Sequence, residues 1–568
     1  TEQQTLIEVN GTVIDEKGLP IQGVNIIVKD DKNFSFQTDF DGKYSIKVPS
    51  NSVLVFSFLG LASQTIAIGS QKEINLIMKT ESNQLQDIVI NTGVTVRKKE
   101  LFTGAVATIK GPELKMISTQ NVIQAIKTLD PSFLVIDNVL TGSNPNVLPT
   151  IEMRGKTSIS QQNLNSQFDK NPNQPIFILD GFETDLQTIV DLDMNRIQSI
   201  TLLKDAASTA LYGSRAANGV FVVETKKPIA GKLQVFYTND SRFEEADLSV
   251  YNLMNAEQKL EFERLSNVYH SDFDPARQLE LDQIYSSRLM NVRSGVNTYW
   301  LNEPITVGVT SAHSLNVGGG TDEFRYSLGL NMKTIDGVMK GTENNTWGYS
   351  IDLMYHKNKL ALSNKLYING GNEKDSPYGS FSDFAKATPY FPKRNPDGSV
   401  NRYLNGTDDA TTLFLPNQVN PLYNATLSNF TQRKAFDFLN NFGATYSFNS
   451  GIRAEMGISV SRNTVAGNSF VDPRDTHFDT SIPLEKGLFT KSQLEANRWS
   501  VNLGASYVKV FGEKHTFSTN LRTEAEENKG DFFETQIFGF PEGVPADPIF
   551  AYGYNRGMGH KNAAGRFH

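Results

Sequence analysis

Phe324-Arg-Tyr-Ser-Leu-Gly-Leu-Asn-Met332 sets an apolar side chain at every second position, with a small or polar one between each pair. A period of two puts the apolar groups on one face of a strand and the polar groups on the other. The device recurs downstream, where Trp347, Tyr349, Ile351, Leu353 and Tyr355 alternate with Gly348, Ser350 and Asp352. It recurs again at Phe436, Phe438, Phe442, Ala444, Tyr446 and Phe448, then at Ile452, Ala454, Met456, Ile458 and Val460. Nine strands are predicted, near 232–240, 312–319, 323–334, 345–356, 359–370, 435–448, 451–462, 496–510 and 514–526. The alternation suits a membrane strand, and it suits one face of a soluble sandwich equally well. The connections favour the membrane. Short turns around Gly320, Asn358, Asn449-Ser450 and Gly512-Glu513 follow the even-numbered strands. Long connections, including roughly 241–311, 371–434 and 463–494, follow the odd-numbered ones. Strict short/long alternation is what up-and-down strands give when one side of the membrane carries tight turns. A bacterial barrel uses an even number of strands, about 22 when it is plugged. An open wall would leave strand edges unpaired in lipid, so the chain is expected to be truncated within an extracellular loop, part-way round a larger barrel.

Upstream, from 105 to 227, the pattern is mixed α/β. Val122, Ile123, Ile126 and Leu129 have helical spacing within Gln120–Leu129, and Pro131 follows the stop. Strand candidates follow at Phe133–Ile136, Thr150–Arg154 and Pro175–Leu179. The small residues of Lys204-Asp-Ala-Ala-Ser-Thr-Ala-Leu-Tyr-Gly213 allow close helix packing, with Gly213 able to end it. Enzyme signatures fail here. Gly155-Lys-Thr157 resembles the end of a phosphate loop, but the required earlier glycine is Thr150. No Ser has a G-x-S-x-G frame, and none of the seven His lies in H-E-x-x-H. Asp180 and Asp205 could pair as acid and base, yet no nucleophile or His accompanies them.

Residues 8 to 79 read as short strands separated by turn chemistry, an all-β sandwich. Its Asp39-Phe-Asp-Gly42 turn invites a calcium reading, but Gln37 and Val48 stand where a calcium loop needs acids. A plain turn accounts for the residues, and no metal ligand set is expected. Between sandwich and α/β region lies Leu85-Gln-Asp-Ile-Val-Ile-Asn-Thr-Gly93, flanked by polar Thr80–Gln84 and charged Arg97–Glu100. It reads either as one more core strand or as an extended peptide that adds to a partner's sheet edge.

Composition narrows the class. The 568 residues exceed one ordinary domain, and the net charge is -8, from 54 basic and 62 acidic residues. A mild acidic balance argues against nucleic-acid binding. The absence of cysteine removes disulfides, thiolate metal sites and Cys nucleophiles together. No apolar run reaches the length of a transmembrane helix.

Four motifs in order carry a family resemblance: Ile151-Glu-Met-Arg154-Gly155; Pro175-Ile-Phe-Ile-Leu-Asp180-Gly181; Ile197-Gln-Ser-Ile-Thr-Leu-Leu-Lys204-Asp205-Ala206; and Leu211-Tyr212-Gly213-Ser-Arg215-Ala-Ala-Asn218-Gly219-Val220. Together they resemble the plug of SusC-type TonB-dependent outer-membrane transporters of the Bacteroidetes. The sandwich resembles a carboxypeptidase-regulatory-like domain, on Gly11–Asp15, Gly18–Pro20, Gly23-Val24, Thr38-Asp39, Asp41–Ser45 and Val53–Gly60. Two departures concern the plug loops: Thr141–Pro149 lacks the usual turn glycines, and Ser158–Asn173 is a polar insertion. The resemblance implies four parts: sandwich 1–80, linker with TonB box 81–100, plug 101–227, and the N-terminal part of a transmembrane antiparallel β-barrel, 228–568. It makes Asp87, Ile88, Val89, Ile90 and Asn91 the TonB box. It implies a multi-pass protein of the bacterial outer membrane, without cofactor or enzyme activity, that imports a large nutrient, glycan or peptide. Its implied partners are TonB with ExbB and ExbD, and a SusD-like surface lipoprotein as lid, often in a dimer of such pairs. The alternatives are a TonB-dependent siderophore or vitamin receptor and a non-transporting surface receptor or adhesin. Tyr378, Phe381, Tyr390 and Tyr403 of the 371–434 loop are candidate substrate-facing residues, or simply pack their loop.

Overall fold

The structure, a computed structural model, describes residues 6–15, 18–29, 31–49, 52–58, 61–69, 71–78, 89–91, 96–98, 104–118, 121–136, 144–153, 173–205, 209–405, 418–448, 452–511 and 515–553. The first seven strands are β1 (Leu6–Asp15), β2 (Asn25–Val28), β3 (Asp31–Gln37), β4 (Lys43–Pro49), β5 (Val53–Phe58), β6 (Leu61–Ala67) and β7 (Leu76–Met78). They form two sheets, ordered β4-β1-β7 and β3-β2-β5-β6. Strand alternation turns Val9, Val13, Val24, Ile26, Leu54 and Phe56 into one fully enclosed core. The Asp39 carboxylate accepts the N–H groups of Asp41 (3.0 Å) and Lys43 (2.7 Å), which is turn chemistry.

After a two-stranded ribbon, β8 (Val89–Asn91) with β9 (Val96–Lys98), comes the α/β unit. Its strands are β10 (Val106–Lys110), β11 (Phe133–Ile136), β12 (Thr150–Met153), β13 (Ile176–Leu179), β14 (Phe182–Thr184), β15 (Ile197–Leu203) and β16 (Val220–Thr225). Five of them form one sheet, β10-β15-β16-β13-β14, and β11 pairs with β12. Helices α1 (Gly111–Ile117), α2 (Val122–Leu129) and α3 (Leu186–Asp191) accompany these strands. α2 starts where the Asn121 side chain accepts the Gln124 N–H (3.0 Å), and it buries Val122, Ile123 and Ile126. Leu129, predicted on that face, is exposed instead. Of the helix that small residues allow at 204–213, residues 206–208 lie outside the described residues, and the Thr209 N–H bonds the Asp205 carbonyl at 2.9 Å, as in a helix. Lys204 and Asp205 leave β15 as irregular chain, and Ala210–Asn218 is 3-10 helix broken at Gly213, where φ is 66°. A left-handed residue cannot continue a right-handed helix.

Nine antiparallel strands follow: β17 (Gly231–Glu244), β18 (Gly308–Gly320), β19 (Phe324–Asp336), β20 (Glu343–Lys357), β21 (Leu360–Lys374), β22 (Phe430–Ser447), β23 (Ile452–Val471), β24 (Leu488–Phe511) and β25 (His515–Phe538). They pair strictly in sequence order into one open sheet. Every predicted strand is present, and most run further, up to 24 residues. The extra length lies on the side of the long connections, where the hydrogen-bond ladder continues beyond the stretch that must alternate.

The two faces of this sheet decide between membrane and sandwich. Phe324, Leu328, Met332, Tyr349, Phe436 and Trp499 lie exposed on one face, Tyr349 at 49%. The covered face carries Ser314, Ser350, Asp352, Asn441, Ser459 and Ser500, with Asp352 at 2% exposure. A soluble sandwich buries its apolar face and exposes its polar one. Here the order is inverted, as a wall with lipid outside and a polar lumen requires. Against the lumen face sits the α/β unit, whose core of Leu114, Ile126, Ile151, Leu179, Ile200 and Phe221 is joined from the wall by Tyr367 and Leu439.

The long connections carry α4 (Ala256–Leu265), α5 (Pro275–Arg293) and α6 (Phe381–Lys386). These pack around Trp300, Leu260, Leu281, Tyr390 and Leu422 into a compact cap of their own.

Candidate functional site: the interface of plug and barrel wall

Asp180-Gly181 forms the tight turn from β13 to β14, with both residues at positive φ (53° and 91°). The Asp180 carboxylate accepts the Thr225 N–H (2.9 Å) and the Thr225 hydroxyl (2.7 Å), which ties the turn to the end of β16. It also reaches the wall. Lys365 Nζ lies 2.8 Å from Asp180 and the Tyr367 hydroxyl donates to it at 3.1 Å, both from β21. Burial alone would raise the Asp180 carboxyl; the Lys365 charge and the Thr225 hydrogen bonds outweigh it and hold the acid below its ordinary value. One turn away, Arg196 donates to Asp352 of β20 at 2.6 Å and lies over the Tyr367 ring, 5.1 Å from its centre. Asp193 accepts the hydroxyl of Ser314 on β18.

A second cluster lies on the far side of the plug sheet. Arg215 donates to Glu183 (2.9 Å) and to Glu526 of β25 (2.6 Å). Arg498 of β24 donates to the same two acids, each at 2.9 Å. Two plug residues and two wall residues therefore form a closed square of alternating charge. Gly213 and Gly219 shape the segment that presents Arg215. At Gly219 (φ 93°) a Cβ would meet Met153 Cε at 2.9 Å and the Leu203 carbonyl at 3.0 Å, so only glycine fits.

A third contact joins the plug to the long-loop rim. The Asn146 amide donates to Asp375 and to the Lys374 carbonyl, both at 2.9 Å, and Arg433 donates to the Asn146 carbonyl at 3.3 Å. Beside it a cleft of about 520 Å³ is lined by Asp375, Tyr378, Asp383, Lys386, Gln418 and Asn424.

The sequence-predicted residues divide by place. Asp180 and Arg215 reach the wall. Lys204 pairs with Asp130 at 2.5 Å, and Asp205 accepts the Ala105 N–H at 2.7 Å, so both hold plug elements together. Tyr212 is largely buried, its hydroxyl pushed above the ordinary range by that burial, and Asn218 closes the 3-10 segment. Asp180 and Asp205 are thus separately engaged and do not form an acid/base pair. Arg154, Gly155, Asp87 and Ile88 lie outside the described residues. Val89, Ile90 and Asn91 form strand β8, with Val89 opposite Lys98. In the loop cap, Tyr390 is 1% exposed and donates to Glu263 at 2.9 Å, and buried Tyr403 donates to Asp479. Phe381 packs on Tyr251, ring centres 5.8 Å apart. Of these four aromatics, Tyr378 faces the cleft. Sequence reasoning missed Glu183, Arg196, Asn146 and all the wall partners. One signal was there: Asp352, Lys365 and Arg498 are charges on strands whose neighbouring inward positions are small or neutral.

The geometry is that of a plug seated in a polar-lined wall, and comparison with known proteins agrees. Residues 9–90 match the CarboxypepD_reg-like domain, and residues 98–220 match the TonB-dependent Receptor Plug Domain. TonB-dependent receptor SusC of Bacteroides thetaiotaomicron is 25% identical over 465 residues, 78% of this chain and 43% of that protein. The chain is similar to SusC-type TonB-dependent receptors, and its plug matches theirs. TonB-dependent receptor P3 of Formosa agariphila is 28% identical over 545 residues, 90% of this chain and 49% of that protein. The structure of the RagAB peptide importer in its 'open-open' state superposes with a TM-score of 0.64 at 17% identity, over 81% of this chain and 51% of that one. The SusC-like chain therefore spans about half the length of these relatives. Its nine-stranded sheet is part of an outer-membrane β-barrel, and its relatives are receptors, not enzymes.

Proposed function

We propose that the protein imports a large nutrient, a glycan or a peptide, across the outer membrane, driven by TonB with ExbB and ExbD. In this reading a SusD-like lipoprotein closes over the long loops as a lid, and two such pairs associate. The segment Asp87–Asn91 is the TonB box, lying between the sandwich (1–80) and the plug (101–227). The observation that carries the reading is the chemistry of the plug seat. Among the described residues, the plug meets the wall largely through ion pairs and polar hydrogen bonds, with Tyr367 and Leu439 joining its apolar core. Water can replace such contacts when the plug is pulled, whereas a fully apolar seat would resist withdrawal as a protein core does. The seat is thus firm at rest and separable under force.

Deleting Asp87–Asn91 from the full-length protein tests this. Growth on the imported nutrient should fail, while protein level and ligand binding at the cell surface stay unchanged. Growth that persists after the deletion would sink the import reading and favour a surface receptor or adhesin. Co-purification without any lipoprotein partner would favour a siderophore or vitamin receptor.

A further inference from the structure

The Asp39–Gly42 turn of the sandwich contains one residue its turn chemistry does not require. Asp39 caps the turn, and Gly42 supplies a positive φ (68°) beside the Val13 carbonyl, where a Cβ would sit at 2.3 Å. Phe40 does neither. It is half-buried, yet it has no place in the sandwich core. What covers it is the barrel. The Phe40 ring lies edge-on to His356 at the end of β20, centre to centre 3.9 Å, and the Arg325 guanidinium at the start of β19 lies 5.6 Å from its centre. Arg325 Nε is buried there without a hydrogen-bond partner, so the ring face is what that side of the cation has. Next to it lies Asp322, in the turn between β18 and β19, whose carboxyl is held above its ordinary value chiefly by the neighbouring Asp41 carboxyl. The two turns are themselves joined, His356 N–H to the Glu323 carbonyl at 2.7 Å. The notch is therefore built across two neighbouring hairpins at the short-turn rim of the sheet.

We propose that the Asp39–Gly42 turn is a docking key, with Phe40 as its anchor, that parks the sandwich on the periplasmic rim at the β18–β21 hairpins. The partner surface is this chain's own rim: an arginine and a histidine that together accept one aromatic ring. Parking fixes the point from which residues 79–91 set out, to one side of the plug. The periplasmic side of that rim rests on the proposed orientation of the barrel, but the contact itself does not.

These 568 residues contain no cysteine, so each engineered pair supplies the thiols within them. In the full-length protein in native outer membranes, the pair Asp41→Cys with Asp322→Cys should close to a disulfide under mild oxidation, read as loss of maleimide labelling. It should close at least about tenfold faster than Asp41→Cys with Arg453→Cys, whose second site, at the start of β23, lies four strands further round the rim. Adding Phe40→Ala should slow closure several-fold, and Phe40→Trp should restore it. Equal rates for the two pairs, or a rate indifferent to Phe40→Ala, would overturn the proposal. Cross-linking needs no transport, so a failed import reading leaves its outcome unaffected.

Discussion

At the scale of single residues, the seat of the plug hinges on charges that have lost their water. Lys365→Met would leave Asp180 buried without its cation, a loss of about 3–5 kcal/mol for breaking one side of a buried pair. Replacing both partners removes the charge as well as its partner. Urea unfolding should therefore show Lys365→Met strongly destabilised and Asp180→Asn/Lys365→Met largely recovered. A double variant as unstable as the single one would mean that Asp180 matters for its turn alone.

Acidity acts at a second plug carboxylate. Asp191 is raised to about 6, chiefly by burial, with Lys333 opposing the shift and Asp185 and Glu373 adding to it. Its folded value lies above its unfolded one, so the folded plug binds that proton more tightly. The cost of the ionised form is present at neutral pH and disappears as pH falls through about 6 towards 4. Asp180 behaves oppositely: its folded value is depressed, so its contribution holds above the ordinary carboxylate value and is lost only in stronger acid. The melting temperature should rise between pH 7 and pH 5, and Asp191→Asn should flatten that rise.

Elements were legible in the sequence to the extent that one periodicity governed them. All nine wall strands followed from the period of two, because lipid on one side and the lumen on the other leave each position no choice of face. Helix α2 followed from its spacing and its stop before Pro131. Segment 204–218 was legible in part: Gly213 marks the break, but nothing in its small residues announces the 3-10 turn around it. The strand ends were not legible, since backbone pairing outside the membrane needs no pattern. The sheet also makes a local demand that pattern alone does not reveal. Trp347 lies over Gly370 on the adjacent strand, where a Cβ would come within 2.4 Å of the indole. Gly370→Val should displace that ring at a cost of about 1–3 kcal/mol. It should lower the temperature at which the folded barrel loses its fast migration on a detergent gel, while Gly398→Val in the open 395–399 turn should disturb the wall far less.

For the whole molecule, the square of Arg215, Glu183, Arg498 and Glu526 bonds residues as far apart in sequence as Glu183 and Arg498, 315 positions. No local pattern could announce it. Its members looked like ordinary surface charges until the topology brought β24 and β25 beside the plug. Because these four close on one another, removing two adjacent corners of opposite charge loosens the plug and leaves Glu183 and Arg498 still paired. Arg215→Ala/Glu526→Ala should make cells more sensitive to bulky antibiotics that the intact barrel excludes. Unchanged sensitivity, with normal protein level, would mean that the Asp180–Lys365 and Arg196–Asp352 pairs hold the plug alone.

The length of β24 and β25 has a consequence outside the membrane. At about 3.4 Å per residue, 24 residues reach about 80 Å along the strand, or about 60 Å upright at a tilt near 40°. An apolar band of about 25 Å uses less than half of that height. The remainder stands above the lipid as a rigid chimney, its mouth raised clear of the headgroups and the sugar coat around them. In the import reading, cargo is met at an elevated opening, beyond the reach of the membrane's own charge. The same exposed wall offers phages and antibodies a fixed, strand-built target, unlike a surface made of loops alone.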